Sequence, residues 1–385
     1  MRGKLSMKKE INFVEKWDKR GRSYTWSGTS DGLFQALEKE GITIIDVPIN
    51  ERPGDKVKYY LHRVLLKITK NNDFEVAQIM QAEKQLAKNT RMKENIPTLM
   101  FTQYRSKYLK DSYVFLDFSV QYLLELKKTQ KELMDFTPLK NEISKKDISR
   151  RAAIVDEWTK DCRGIFTMSS YLARDFTDRL GVPEKKVHCV GGGCNVDISG
   201  IDGSQRNGNR FLFVGRDWER KNGPLVAEAF ARFHEKYPQT ELYILGPAAE
   251  PPYIKEMDGI HFIGATSYRE TLKYYNLCDF FVMPSKCEAY GLVFGEALIF
   301  GLPCIAKNAF AMPEFIEEDH NGYLIQHDDV DELCRTMEKL LVNGNRLKNN
   351  VEKNRQYYME RYSWKTVAKK IISVMESDGY WRQQK

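Results

Sequence analysis

The chain has no CxxC pair, no HxxxH or HxH spacing, and no apolar run approaching the roughly 18 residues that a membrane span needs. Each absence closes off a class of function. Seven cysteines, at positions 162, 189, 194, 278, 287, 304 and 334, are an odd number. Several lie in apolar runs, such as Cys304 in LPCIA, and they read as free thiols of a reducing compartment, not as disulfides or zinc ligands. The six histidines offer no metal-ligand spacing, so no metal site is expected. The basic N-terminus MRGKLSMKKE lacks the apolar stretch of a secretory signal, and Met7 is a second candidate start. The expected location is cytoplasmic. A dinucleotide oxidoreductase would carry GxGxxG after an early strand, with an acidic residue ~20 positions on. Neither WSGT nor GGGCN fits that pattern.

What is present is a soluble composition large enough for two domains. The 385 residues are 42% hydrophobic and 29% charged, the profile of a chain with a real core. The net charge of +7 suits an anionic substrate, an anionic membrane surface or nucleic acid. Nucleic acid ranks last, because neither zinc-finger spacing nor an aromatic-basic signature is found. No cofactor is called for by any motif.

The order of elements is that of doubly wound sheets. Ile11 to Val14 form a short apolar strand, a polar loop follows, and Thr29 to Glu40 make an amphipathic helix with Leu33, Phe34 and Leu37 on one face. ITIIDVPI is the next buried strand. Further elements are PTLMFTQ, SYVFLDFSV, a long helix through Ile154, RGIFTMSS, and VHCVGGG near residue 190. Residues 56–70 are basic and helically periodic, with Val57, Leu61, Val64, Leu65 and Ile68 as the stripe. Lys56, Lys58, Arg63, Lys67 and Lys70 surround it, so the segment reads as a core helix or as a helix lying on an anionic membrane.

A Gly-rich polar stretch over 191–210 reads as the linker. Beyond it, FLFVG, ELYILG, HFIG, DFFVMP, LPCIA and GYLI are short continuous apolar strands, most of them separated by helices. That pattern means a parallel sheet covered on both faces. Trp364, Val367, Ala368, Ile371, Ile372 and Met375 mark a final helix. The domain reading is therefore 8–190, a linker at 191–210, a second domain at 211–362, and a terminal helix at 363–385.

Ligands of such sheets bind outside the carboxyl ends of the strands. Arg216 follows FLFVG directly, and Lys221 stands near the entry of the next helix. Two cations there make an anion site, with a diphosphate as its natural occupant, although an isolated RxxxxK is commonly a solvated loop. After DFFVMP comes SKCEAYGLVFGEAL, in which Glu288 and Glu296 are separated by seven residues. Gly291 allows close backbone approach to a ligand. Glu288 falls in the loop and Glu296 one to two turns into the helix, where a carboxylate can accept from the vicinal hydroxyls of a hexose or a ribose. The run HDDVDE at 327 is a helix start.

The ordered segments VGRxxxxK, LYILGP, PSKCEAYGLVFGEALIFGLPCIA and PEFIEEDHNGYLI resemble the C-terminal domain of glycosyltransferase family 4. The likeness runs from about residue 160, where IFTMSSYLARDF and VHCVGGGCNVD also fit, to the terminal helix. It is weaker before that, resting on TWSGTSDGLFQALEKEG. The resemblance implies an α/β chain of GT-B type: two Rossmann-like domains facing a cleft, with the C-terminal helix crossing back to the first domain. It also implies a retaining, metal-independent hexosyltransferase that draws on a UDP- or GDP-sugar. The acceptor would be a glycan, a lipid-linked glycan or a small molecule, as in polysaccharide biosynthesis, and the place of action the cytoplasm or, peripherally, the inner membrane face.

Carried over by position, the resemblance makes Arg216 and Lys221 stabilisers of the departing nucleoside diphosphate. Glu288 would contact the donor sugar, aided by the backbone of Ala289, Tyr290, Gly291 and Leu292. Glu296 would hold the ribose hydroxyls, and Gly28 would meet the diphosphate. The family's N-terminal histidine has no counterpart; Asp117 or Ser119 in VFLDFS stands closest. A sugar-nucleotide epimerase, a phosphorylase or a non-catalytic nucleotide-sugar-binding protein would share the architecture.

Overall fold

The structure, a computed structural model, describes residues 8–49, 82–102, 109–137 and 145–381. Residues 56–70, the basic periodic segment, lie outside the described residues. The chain divides into two compact units. Unit 1 takes the described residues up to Asn195 and those from Ser363 onward; unit 2 runs from Val196 to Tyr362.

Among the described residues, unit 1 is built on a six-stranded sheet in the order β2-β1-β3-β4-β5-β6. The strands are β1 Glu10–Glu15, β2 Thr43–Pro48, β3 Thr98–Met100, β4 Ser112–Leu116, β5 Gly164–Thr167 and β6 Val187–Cys189. All neighbours pair in parallel. The helices include α1 Thr29–Lys39, α2 Val120–Thr129, α3 Lys145–Asp161 and α4 Ser170–Arg174. Every strand expected from the apolar runs is present. Strands three to six residues long that are buried along most of their length leave no room for polar alternation, which is why the runs were readable.

The sheet of unit 2 has the order β12-β11-β10-β7-β8-β9 and is also parallel throughout. Its strands are β7 Arg210–Val214, β8 Glu241–Leu245, β9 Ile260–Gly264, β10 Phe280–Val282, β11 Cys304–Lys307 and β12 Gly322–Ile325. Its helices are α5 Gly223–Lys236, α6 Tyr268–Leu277, α7 Leu292–Phe300, α8 Val330–Val342, α9 Gly344–Lys353 and α10 Arg355–Arg361. Asp329 caps α8, so the acidic run at 327 does start a helix. Helix α7 is buried at every position from Phe294 to Phe300, the mark of a central helix and not a surface one.

The last helix, α11 Trp364–Ser377, returns to unit 1 and packs on α1. Its Trp364, Val367, Ala368, Ile371 and Met375 are buried. The indole of Trp364 fills a notch where a Cβ on Gly32 or Gly193 would come within 2.3 or 2.5 Å of the ring.

In unit 2 the chain moves from β7 to β8 and β9 in one direction, then from β10 to β11 and β12 in the other. The point of reversal lies between β7 and β10. In unit 1 it lies between β1 and β3. Open parallel sheets bind their ligands at such points, outside the strand ends.

Candidate active site

Helices α2, α4, α6, α8 and α11 are each closed by their own serine or aspartate, which accepts a backbone N–H from the first turn. Among the described residues five other helices lack such a cap, and two of them, α9 and α10, follow directly on the helix before them. α1, α5 and α7 open at a left-handed residue, Gly28, Asn222 and Gly291, with no side-chain cap. These three follow β1, β7 and β10, the strands at the two reversal points. Uncapped N–H groups and the positive end of the helix dipole are what an anionic ligand needs there. Gly291 has φ 104°, and a Cβ on it would lie 2.8 Å from the ring of Phe294. No other residue fits without moving α7.

Two loops flank the reversal point of unit 2, and they are stitched together. Lys221, at the end of the first, donates to Glu288 in the second, and both are buried. Arg220 donates to the Cys287 carbonyl at 3.0 Å and reaches the Glu288 carboxylate at 3.8 Å. Lys286 N–H donates to the Arg220 carbonyl at 2.9 Å. The Ser285 hydroxyl donates to Glu288 Oε2 at 3.3 Å. Asn222 adds a bond to the Pro284 carbonyl at 3.2 Å and one to Asp328 at 2.9 Å. Burial pulls the Lys221 ammonium below the ordinary lysine range, and the Glu288 charge opposes that pull.

Arg216, which follows β7, is exposed, and among the described residues it takes no hydrogen bond or ion pair. Tyr290 is buried with its ring 5.0 Å from that of Phe315, so it offers the loop its backbone and not its side chain. Ala289 and Leu292 are half-buried on either side. Glu296 sits one turn into α7, buried, with the Tyr275 hydroxyl donating to Oε2 at 3.1 Å. Burial pushes this carboxyl up to about 7, and the Tyr275 hydrogen bond works in the opposite direction.

The structure thus joins Lys221 to Glu288, which the sequence reading had assigned to different parts of one ligand. Among the described residues it leaves Arg216 unpartnered, and it gives Glu296 a separate partner. In unit 1, Gly28 has φ 85° and ends a turn in which Trp26 and Ser27 are also left-handed. Ser119 is buried and spends its hydroxyl on capping α2; Asp117 is half-buried. Arg220, Ser285 and Tyr275 escaped the sequence reading. Arg220 had a signal, as the third cation of the run GRDWERKNG. Tyr275 had none. Among the described residues no three His, Cys, Asp or Glu side chains come together as metal ligands.

Residues 197–358 match the family described as glycosyl transferases group 1. This part of the chain belongs to that family. The chain also aligns with known proteins over part of its length. It is 29% identical over 185 residues to the sulfoquinovosyl transferase of Arabidopsis thaliana, covering 45% of this chain and 35% of the plant protein. The chain spans about half the length of the curated relatives it matches, from 33% to 65% among those compared. A glycosyltransferase from Rickettsia africae superposes with a TM-score of 0.64 at 13% identity, covering 96% of this chain and 98% of its own. An Anabaena protein solved with UDP and glucose gives 0.57 at 14% identity, covering 95% and 99%. At these identities the likeness is one of fold: two Rossmann-like domains, the GT-B architecture.

Proposed function

We propose that the protein is a retaining glycosyltransferase. It moves a hexose-type sugar from a nucleoside diphosphate sugar, with UDP or GDP as the carrier, to a glycan, lipid-linked or small-molecule acceptor, without a metal ion. The observation that carries this reading is the buried Lys221–Glu288 pair stitched across the reversal point of unit 2, beside a helix that opens uncapped at Gly291. The group 1 match and the Anabaena neighbour solved with UDP and glucose support the donor class.

In this reaction the bond from the sugar's C1 to the phosphate oxygen breaks, and its electron pair stays on the phosphate. The acceptor oxygen bonds to C1 and passes its proton to that same phosphate oxygen, so the attack comes from the face the leaving group departs. Negative charge gathers on the phosphate, and preorganised cations lower the barrier most where water is excluded. Arg216, Arg220 and Lys221 supply positive charge, and the amides opening α7 add the helix dipole. Glu288 is assigned to the donor sugar, Glu296 to the ribose hydroxyls, and the backbone at Gly28 to the diphosphate. Peripheral contact with an anionic membrane through residues 56–70 belongs to the same proposal. Co-sedimentation with anionic vesicles, lost on changing Lys56, Arg63 and Lys67 to Glu, tests it.

Incubation with UDP-, GDP- and ADP-sugars and an acceptor panel tests the central reading. A glycosylated acceptor with its anomeric configuration retained, formed equally well in excess chelator, is the expected result. Isomerised donor, phosphorolysis, or binding without turnover across the panel would overturn it. Loss of rate in chelator, restored by magnesium or manganese, would overturn the metal independence alone.

A further inference from the structure

The end of α7 is closed with complete accounting. A helix leaves four carbonyls without intrahelical partners. Here Leu302 N–H donates to Ala297 O at 2.9 Å and Gly301 N–H to Leu298 O at 3.0 Å, the two bonds of a Schellman turn. The last two carbonyls are taken by arginines: Ile299 O by Arg355 Nε at 3.1 Å, and Phe300 O by Arg206 Nη2 at 2.6 Å.

Arg206 does more than cap. The same Nη2 also donates to Tyr275 O, 3.0 Å away near the end of α6. One guanidinium therefore ties the end of α6 to the end of α7. Those two helices carry the Tyr275 hydroxyl and the Glu296 carboxyl, which meet at 3.1 Å. Arg206 is deeply buried, with 7% of its side chain exposed, and its Nε has no partner among the described residues. A buried arginine with an unsatisfied N–H is costly to keep, so an exposed loop residue would be the cheaper choice if capping were its whole role. The segment around it is fixed as well: Asn276 donates to Gly200 O at 2.7 Å and accepts from Asp202 N–H at 2.9 Å.

We propose that Arg206 is a positioning residue for nucleotide binding: by clamping the ends of α6 and α7 it sets the Tyr275–Glu296 contact. The proposal rests on the reading of Glu296 as the ribose-holding group. A lysine keeps the charge but is a single point donor that cannot reproduce the planar fork between two carbonyls. Arg355 caps α7 alone and is the natural control.

The experiment is calorimetry of UDP and GDP with the full chain, as a double-mutant cycle of Arg206→Lys and Glu296→Gln. Arg206→Lys is expected to weaken the bare nucleotide about tenfold, while turnover at saturating donor stays within about threefold of wild type. In the Glu296→Gln background the same change should have no further effect on affinity, because the contact it sets is already cut. Arg355→Met should leave the affinity unchanged. If Arg206→Lys does not fold, Tyr275→Phe, which removes one hydroxyl, carries the test and should reproduce the tenfold loss. Normal binding by Glu296→Gln would sink the ribose reading itself. Weakened binding by Glu296→Gln with normal binding by Arg206→Lys, or by Tyr275→Phe, would sink the clamp and leave the ribose reading standing.

Discussion

Lys221 and Glu288, 67 positions apart in sequence, form a buried ion pair across the two loops at the β7–β10 reversal point. Without a ligand each neutralises the other, so a bound diphosphate competes with Glu288 for the lysine. Breaking one side of a buried pair leaves an uncompensated charge and typically costs about 3–5 kcal/mol, whereas removing both is nearly neutral. Lys221→Met should therefore destabilise the protein more than the double change Lys221→Met with Glu288→Gln. Denaturant unfolding of the three proteins checks this, and a double variant less stable than the single one would contradict it. Lys221→Ala should also lower kcat by about 100-fold or more, the usual cost of losing one electrostatic stabiliser. A folded Lys221→Ala enzyme with wild-type kcat would remove the lysine from the mechanism.

The two glutamates should fail differently. Glu288→Gln is expected to impair turnover of the full donor and to spare binding of the bare nucleoside diphosphate. Glu296→Gln is expected to weaken the bare nucleotide. Calorimetry with UDP and with UDP-sugar, alongside initial rates, separates the two effects. Equal losses of bare-nucleotide affinity in both variants would end the division of labour.

The Glu296 carboxyl, pushed up to about 7 by burial from an ordinary 4.5, makes the site respond to pH near neutrality. Between these values the native protein holds a proton that the unfolded chain has released. Stability contributed by this group thus falls as pH rises through the window, by on the order of 3 kcal/mol in all. Glu296→Gln should flatten that part of the stability profile between pH 5 and 7.5. Ribose hydroxyls donate to the ionised form, so nucleotide affinity should rise with pH up to about 7 and then level off, with protons released on binding below that. Affinity independent of pH from 5 to 8 would contradict the assignment.

Gly291 is expected to tolerate no side chain. With φ at 104° and Phe294 2.8 Å from where a Cβ would stand, Gly291→Ala must twist the loop or displace α7. The measurable result is weaker nucleotide binding in a protein that still folds. Wild-type affinity in Gly291→Ala would show that the amides opening α7 do not touch the ligand.

Much of this was legible in the chain. Most strands were visible because a strand buried along most of its length shows as a continuous apolar run, although β2, β6 and β9 are only partly covered, and the loops after them were legible because Gly, Glu and cations interrupt those runs abruptly. Lys221 and Glu288 were each visible; their contact was not, since nothing in either segment encodes distance to the other. Arg206 was invisible for a different reason. It lies in GSQRNGN, a stretch whose polarity reads as loop, and its hydrogen-bond acceptors are carbonyls, which carry no residue identity at all. Tyr275 was hidden on a helix of mixed polarity, where its ring reads as packing and its hydroxyl has no sequence signature.

The return of α11 to unit 1 has a consequence for how the protein is made. Chains usually fold from the N-terminus as they leave the ribosome. Here the apolar stripe of α1 is covered by residues 364–375, and Trp364 fills the notch at Gly32 and Gly193. The first unit to be synthesised is therefore the last to be finished, while the second, complete at Tyr362, contains all its own strands and helices. For the whole time that unit 2 is being translated, α1 waits with its covering helix unmade. A nascent chain arrested before residue 364 should accordingly resist protease in its second half sooner than in its first.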